Sequence, residues 1–376
     1  MTETRPYAIF VFSLIGALLS VMAGTAAALA QSTPGATPVA AEDVITFELP
    51  GDEVYPEGVA YDEDENVFYV GSTTDGTIFR GDIESGEVEV FSEGGADDRT
   101  TAIGMEIDDD GRLFVAGGDT GGVWVYDTES GDFLATVENE LTPDTFLNDI
   151  AIVDGEAYVT DSFNPIIWQV TLTEDEDEDD DAAEVSAEID QYLDFTGTDF
   201  EFQNDGFNAN GIEATDDGTY LIVVQSATGL LFRIEVSSGD VTEIDLGDTT
   251  VPNGDGMAIE GQALYVLQNQ QELIVPIAMA DDFASGTPID TVTYDAFNYP
   301  TTLELTGDGR ALVVNSQFGA RSEGTDPELP FTVVSVPVPD PVAILTGEGT
   351  PVAGDDTADG TGGDDDADDA EATPLG

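Results

Sequence analysis

Two carboxylates and two carboxamides, Glu57, Asn148, Asn210 and Asp255, each head a short apolar run, and these runs recur along the chain at a nearly fixed step. Such oxygen donors suit a hard divalent cation, which takes six to eight ligands when it is Ca²⁺. The six repeat heads read Glu57-Gly58-Val59, Ile103-Gly104-Met105, Asn148-Asp149-Ile150, Asn210-Gly211-Ile212, Asp255-Gly256-Met257 and Thr301-Thr302-Leu303. Their first positions lie 46, 45, 62, 45 and 46 residues apart. If the heads converge on one axis, the four oxygen-bearing residues either cage a cation or seal a channel by bonding to neighbouring backbone. Residue types alone leave both readings open.

What remains of the composition narrows the chemistry. The chain has no Cys and no His, and its seven basic residues are all Arg. Thiol nucleophiles, disulfides, zinc–thiolate sites, the Ser-His-Asp triad, Schiff-base lysines and the phosphate-binding P-loop are therefore excluded. Catalysis would rest on carboxylates, amides, hydroxyls, Arg and a cation held by oxygen, which favours Ca²⁺, with Mg²⁺ or Mn²⁺ as alternatives. Eighty acidic residues set the net charge at −73. That field repels nucleic acid and anionic membranes and suits a protein kept soluble in high salt or acid.

Positioning six heads on one axis needs a repeating element. After each head comes a turn rich in Asp and Gly, such as Asp108-Asp109-Asp110-Gly111 or Asp216-Asp217-Gly218, and then a second apolar strand. Third and fourth strands follow in most repeats. A period near 45 residues built from strands alone predicts an all-β fold, a six-bladed β-propeller with one four-stranded blade per repeat. The sixth repeat lacks an outer strand, and residues 44–49 are predicted to supply it, closing the ring from the other terminus. The long step of 62 is assigned to an acidic insertion in blade three, residues 173–188, expected to be an unpaired, solvated excursion. Trp124 and Trp168 fall on third strands and are expected to pack between blades. Polar residues between second and third strands return to the face of the heads and add candidates at the same mouth: Ser72, Thr73, Asp161, Ser162, Gln225, Ser226, Gln268, Asn269, Asn315 and Gln317.

Around this unit, residues 1–30 read as a signal peptide or N-terminal anchor, with Ala28-Leu29-Ala30 as a small-x-small cleavage site. Residues 31–43 read as a flexible linker, 44–340 as the propeller, and 341–376 as a disordered acidic tail. A secreted monomer is expected, held at the cell surface if the leader stays uncleaved.

The heads resemble those of the senescence marker protein, gluconolactonase and luciferin-regenerating enzyme family of six-bladed propellers, in order and spacing over residues 44–340. Tyr55-Pro56-Glu57-Gly58 is similar to the family's opening Glu-Gly segment, Asn148-Asp149 to its third-blade Asn-Asp, Asn210-Gly211-Ile212 to its fourth-blade Asn-Gly, Asp255-Gly256-Met257 to its fifth-blade Asp-Gly-Met, and Tyr299-Pro300-Thr301-Thr302 to its sixth-blade Pro-Thr. The resemblance implies a divalent metal held by Glu57, Asn210 and Asp255, with Asp255 also the catalytic acid/base, and substrate contact from Asn148 and its neighbour Asp149. It implies hydrolysis of a small lactone or similar ester. The family's sugar-lactone hydrolases usually carry an Arg two residues before the third-blade Asn. Here that position is Phe146, which opens the way to a less polar substrate. The rival expectation is a non-catalytic extracellular binding or scaffold propeller with a structural cation.

Overall fold

The computed structural model describes residues 37–38, 43–175, 184–204 and 206–347. The leader at residues 1–30 and the tail beyond residue 347 lie outside them. Six antiparallel sheets make six blades. Blade one comprises Pro56–Asp62, Val67–Ser72, Ile78–Asp82 and Val88–Ser92. Blade two comprises Met105–Ile107, Arg112–Ala116, Gly122–Asp127 and Phe133–Glu138. Blade three is Leu147–Val153, Glu156–Asp161, Ile166–Asp175 and Glu184–Asp194, and blade four is Ala209–Ala214, Tyr220–Gln225, Leu230–Glu235 and Asp240–Glu243. Blade five has Gly254–Glu260, Ala263–Gln268 and Leu273–Met279, with its outer edge split into Gly286–Pro288 and Val292–Thr293.

Blade six closes the ring. Its strands Pro300–Leu305, Arg310–Asn315 and Phe331–Pro337 are completed by Ile45–Leu49 from the N-terminal side, antiparallel, with Ile45 opposite Ser335 and Leu49 opposite Phe331. Pairing the last blade with the start of the ring leaves no inner edge for another chain to template on. First strands of successive blades touch in cyclic order, blade six against blade one included.

The core follows from this arrangement. It consists of six apolar clusters, one between each pair of neighbouring blades. Second strands such as Val67–Ser72 and Ala263–Gln268 are buried along their whole length, because a blade lies against each face. Outer strands such as Val88–Ser92 keep polar residues in solvent. Trp124 and Trp168 are buried in these inter-blade layers.

In three of the heads the close approach of the next blade accounts for the glycine at the second position. An added Cβ on Gly58 would sit 2.3 Å from the Ile103 carbonyl oxygen, on Gly104 2.3 Å from that of Asn148, and on Gly211 2.3 Å from that of Asp255. At these three positions neighbouring first strands approach so closely that only glycine fits. Blades three and six carry Asp149 and Thr302 instead.

Three sequence expectations need correction. The insertion of blade three was expected to be unpaired. Instead its flanks extend the blade's outer hairpin, with Thr173 opposite Ser186, Glu174 opposite Val185 and Asp175 opposite Glu184. β-branched Thr171, Thr173 and Val185 support the extended backbone, and Arg112 of blade two offsets Glu174 at 3.2 Å. The middle of the insertion, residues 176–183, lies outside the described residues. The tail was expected to lose structure at residue 341, but Pro341–Thr346 form a short helix. Asp340 caps it by accepting from the Val342 and Ala343 amides, and Val342 packs against the cluster between blades five and six. Within the expected linker, Thr37–Pro38 pair in parallel with Val292–Thr293.

Candidate functional site

The strands that carry the heads are bulged there. Register between first and second strands shifts between Pro56 and Val59, Leu147 and Ile150, Ala209 and Ile212, Gly254 and Met257, and Pro300 and Leu303. Each bulge brackets one head dipeptide and frees its first side chain from the strict alternation of a strand. Blade two differs, because Ile103-Gly104 precede its short first strand. Glu57, Asn148, Asp149, Asn210, Asp255 and Thr301 are all buried.

A repeated hydrogen-bond relay holds the two amides. Asn148 Nδ2 donates to Ser162 Oγ at 2.9 Å, and that hydroxyl donates to the Ala209 carbonyl of blade four at 2.6 Å. Asn210 Nδ2 donates to Ser226 Oγ at 2.9 Å, and that hydroxyl donates to the Gly254 carbonyl of blade five. Asn210 Nδ2 also donates to Asp255 Oδ1 at 2.7 Å, while Asn269 Nδ2 donates to Asp255 Oδ2 at 2.8 Å. Asp255 is thus gripped at both oxygens, and Asn210 spends both amide donors, Asn148 one, on protein. Neither amide's Oδ1 accepts a hydrogen bond from another described residue. Asp149 reaches blade four instead, with Oδ2 accepting from the Ile212 amide at 3.2 Å. Thr301 Oγ1 donates to the Glu57 carbonyl at 2.9 Å, locking blade six to blade one.

The electrostatics are uncompensated. Burial, then the charges of Asp255 and Asp149, pushes the Glu57 carboxyl well above its usual range. Burial lifts Asp255 to about 7 against the downward pull of the Asn269 and Asn210 amides. Asp149 rises to about 7, again by burial, partly countered by the Ile212 and Ile150 amides. Only two buried side-chain oxygens or nitrogens lack a hydrogen-bond partner among the described residues: Glu57 Oε2 and Asn269 Oδ1. Both are oxygens. Asn269 is bonded directly to Asp255, and Glu57 is electrostatically joined to it. A buried oxygen without a donor costs about 1–3 kcal/mol, more if charged. A divalent cation would relieve the orphaned oxygens and the carboxylate repulsion together, so the donor set fits one. Among the described residues no three acidic groups converge closely enough to hold an ion unaided, so an ion bound here would need amide oxygens as well.

The loop candidates divide into three groups. Ser162, Ser226 and Asn269 join the rim network. Asp161, Gln225, Gln268, Asn315 and Gln317 are buried braces: Asp161, for example, accepts from the Phe146, Phe163 and Asn164 amides and from Thr145, Asn164 and Trp168 side chains. Ser72 and Thr73 donate to the Val54 and Tyr55 carbonyls.

Sequence reading missed a second acidic layer three residues beyond the heads. Glu106, Glu213 and Glu304 come from the first strands of blades two, four and six, while Ala60, Ala151 and Ala258 fill the same place in blades one, three and five. The three glutamates line a cavity of about 500 Å³ with Asp108, Asp154 and Arg112. Burial lifts Glu106 to about 8. Glu213 and Glu304 are pushed well above the usual range by burial and by the other glutamates. The Glu/Ala alternation at a fixed offset from the heads was visible in the sequence and could have found this layer.

Comparison with known proteins supports the fold. No protein-family model matches the chain, and no curated protein matches its sequence. Similar solved structures include regucalcin from Agrobacterium tumefaciens, a calcium-binding protein, at 15% identity over 81% of this chain and 96% of that one, with a TM-score of 0.57. The Malassezia sympodialis allergen Mala s 1 matches at 14% identity over 79% and 96%, also with a TM-score of 0.57. A streptogramin B lyase matches at 13% identity over 78% and 96%, with a TM-score of 0.52. At such identities the likeness is one of architecture. The chain is a six-bladed β-propeller.

Proposed function

We propose that this chain is a secreted, metal-dependent hydrolase of a small lactone or similar ester, acting at the axial rim formed by Glu57, Asn148, Asn210 and Asp255. The observation that carries the reading is that both orphaned buried oxygens, Glu57 Oε2 and Asn269 Oδ1, belong to one uncompensated carboxylate–amide site. The calcium-binding name of the regucalcin neighbour points the same way. Glu57, Asn210 and Asp255 would hold the ion, Ca²⁺ in first place and Mg²⁺ or Mn²⁺ as alternatives, with Asn269 Oδ1 within the same network. A bound divalent cation supplies Lewis acidity toward a carbonyl oxygen and makes water a stronger acid. Asp255, fixed at both oxygens by Asn210 and Asn269, takes the proton of the attacking water and returns it to the leaving alkoxide. Asn148, braced through Ser162, orients the substrate through its amide, and Asp149 supports it from the next position.

The test is a lactone and ester panel assayed with and without chelator, on wild type and Asp255→Asn. Turnover that disappears with chelator, returns with Ca²⁺ and is lost in the variant supports the reading. Chelator-insensitive turnover, or wild-type rates in Asp255→Asn, refutes it. The closed amide relays of blades three and four favour a second reading, a non-catalytic extracellular ligand-binding or scaffold propeller whose cation stiffens the ring. That reading expects Ca²⁺ to raise the melting temperature with no substrate turned over.

A further inference from the structure

Beside the rim, on the side of blades three and four, three phenylalanines form a closed triangle. Phe146 and Phe163 have ring centroids 5.2 Å apart, Phe146 and Phe207 5.3 Å, and Phe163 and Phe207 5.4 Å. Each is tied to a rim residue by the chain itself. Phe146 lies two residues before Asn148, Phe207 three before Asn210, and Phe163 directly follows Ser162, the hydroxyl that Asn148 grips. The triangle is built rather than incidental. The fully buried Asp161 carboxylate accepts from the Phe146 amide at 3.1 Å and the Phe163 amide at 3.0 Å, and Ser162 N donates to the Phe146 carbonyl at 2.9 Å. Gly118 leaves room for the Phe146 ring next to Ile103, the one apolar head.

The triangle is also incompletely covered. Phe163 is 46% exposed, in a chain whose net charge is −73 and whose rim heads, Ile103 apart, are carboxylate, amide and hydroxyl. An aromatic held this firmly and left open beside a polar site offers a ring face and edge to whatever that site binds.

We propose that the Phe146–Phe163–Phe207 triangle is a specificity wall that receives an aromatic ring on the substrate, so that the ligand class is an aryl or benzo-fused lactone or ester rather than a polyhydroxylated one. This inference rests on the hydrolase reading for the word substrate, but the recognition it describes is testable without turnover. A ring stacked on Phe163 would lie beside Asn148, since Ser162, whose hydroxyl the Asn148 amide grips, directly precedes Phe163.

The probes are two lactams that resist hydrolysis, 3,4-dihydro-2-quinolinone and δ-valerolactam, which differ by the fused benzene ring. Their binding to the full chain in Ca²⁺ is measured by ligand-observed NMR, alongside turnover of the matching lactones, dihydrocoumarin and δ-valerolactone. The fused lactam is expected to bind about tenfold or more tightly, in the range that a hydrophobic contact of this size discriminates. Phe163→Ala should bring that ratio close to one and Phe163→Tyr should restore it. Because Phe163 is half exposed, its truncation leaves the core intact, which a melting curve checks. Equal binding of the two lactams, no measurable binding of either, or a preference that survives Phe163→Ala overturns the proposal. A retained lactam preference with no turnover of either lactone sinks the hydrolase reading and leaves the aromatic wall standing.

Discussion

Replacing the inner glutamates by glutamine should stabilise the ring at alkaline pH and do nothing in acid. Beyond burial, the charges of Glu304, Glu106 and Asp149 raise Glu213, those of Glu106 and Asp149 raise Glu304, and Asp108, Asp154 and Arg112 line the same cavity. Arg112 is occupied by Asp108 at 2.6 Å and by Asp110 and Glu174 at 3.2 Å, so it offers the glutamates little relief. Glu106 titrates at about 8 in the fold against 4.5 when unconstrained. The native state therefore holds protons that the unfolded chain releases. Their contribution to stability is fully present below about pH 4.5 and is lost as the pH climbs to about 8. At about 1.4 kcal/mol per pH unit the nominal loss is several kcal/mol. The glutamates also touch the cavity, and screening there reduces the effect, so a figure on the order of 2–3 kcal/mol is expected for the layer. The assay is thermal unfolding of wild type and Glu106→Gln/Glu213→Gln/Glu304→Gln at pH 4.5 and pH 8. Comparing variant with wild type at each pH cancels the titration of the acidic surface. The variant should melt several degrees higher at pH 8, at about 2 °C per kcal/mol, and unchanged at pH 4.5. An equal shift at both pH values would mean that packing rather than charge separates the two proteins. No gain at pH 8 would refute the reasoning.

Three further outcomes follow from specific contacts. Gly211→Ala should destabilise the ring by about 2 kcal/mol or more, because its Cβ would meet the Asp255 carbonyl oxygen at 2.3 Å; a variant that melts with wild type would show that the strands relax freely. Arg99 is fully buried and makes no ion pair among the described residues, donating to Gly76 O, Tyr126 Oη and Ser92 Oγ, so Arg99→Ala should cost on the order of 3 kcal/mol by denaturant unfolding through those lost donors. Since Arg112 alone makes ion pairs among the described residues, the melting temperature should rise from dilute buffer to molar salt; a flat response would mean that surface repulsion is negligible.

The six blades and the closing strand were legible because a repeat that must bury both faces writes its period into the apolar pattern. Ile45–Leu49 could be placed against Phe331–Pro337 because the sixth repeat visibly lacked an outer strand. The heads were legible for a related reason: glycine at 58, 104 and 211 marks where neighbouring strands nearly touch. The paired flanks of the acidic insertion were hidden, because Thr171, Thr173 and Val185 are sparse β-formers among carboxylates whose partner, Arg112, lies about 60 residues away in sequence. The helix Pro341–Thr346 was hidden for want of length, although Asp340-Pro341 is an N-terminal cap signal. Within the site, the residue types at Glu57, Asn210 and Asp255 could be read, but not which atoms go unpaired. The orphaned Asn269 oxygen depends on how a loop folds back over blade five, and no spacing rule reports that.

The most direct test of the cation site is anomalous diffraction from crystals of the protein grown with Mn²⁺ in place of Ca²⁺. One strong peak is expected at the axial rim, bonded by oxygens of Glu57, Asn210 and Asp255 at roughly 2.2–2.6 Å, with Glu57 Oε2 no longer unpartnered. A map with no peak there, in crystals where Asn210 still donates to Asp255 and Glu57 has gained a hydrogen-bond donor instead, would contradict it.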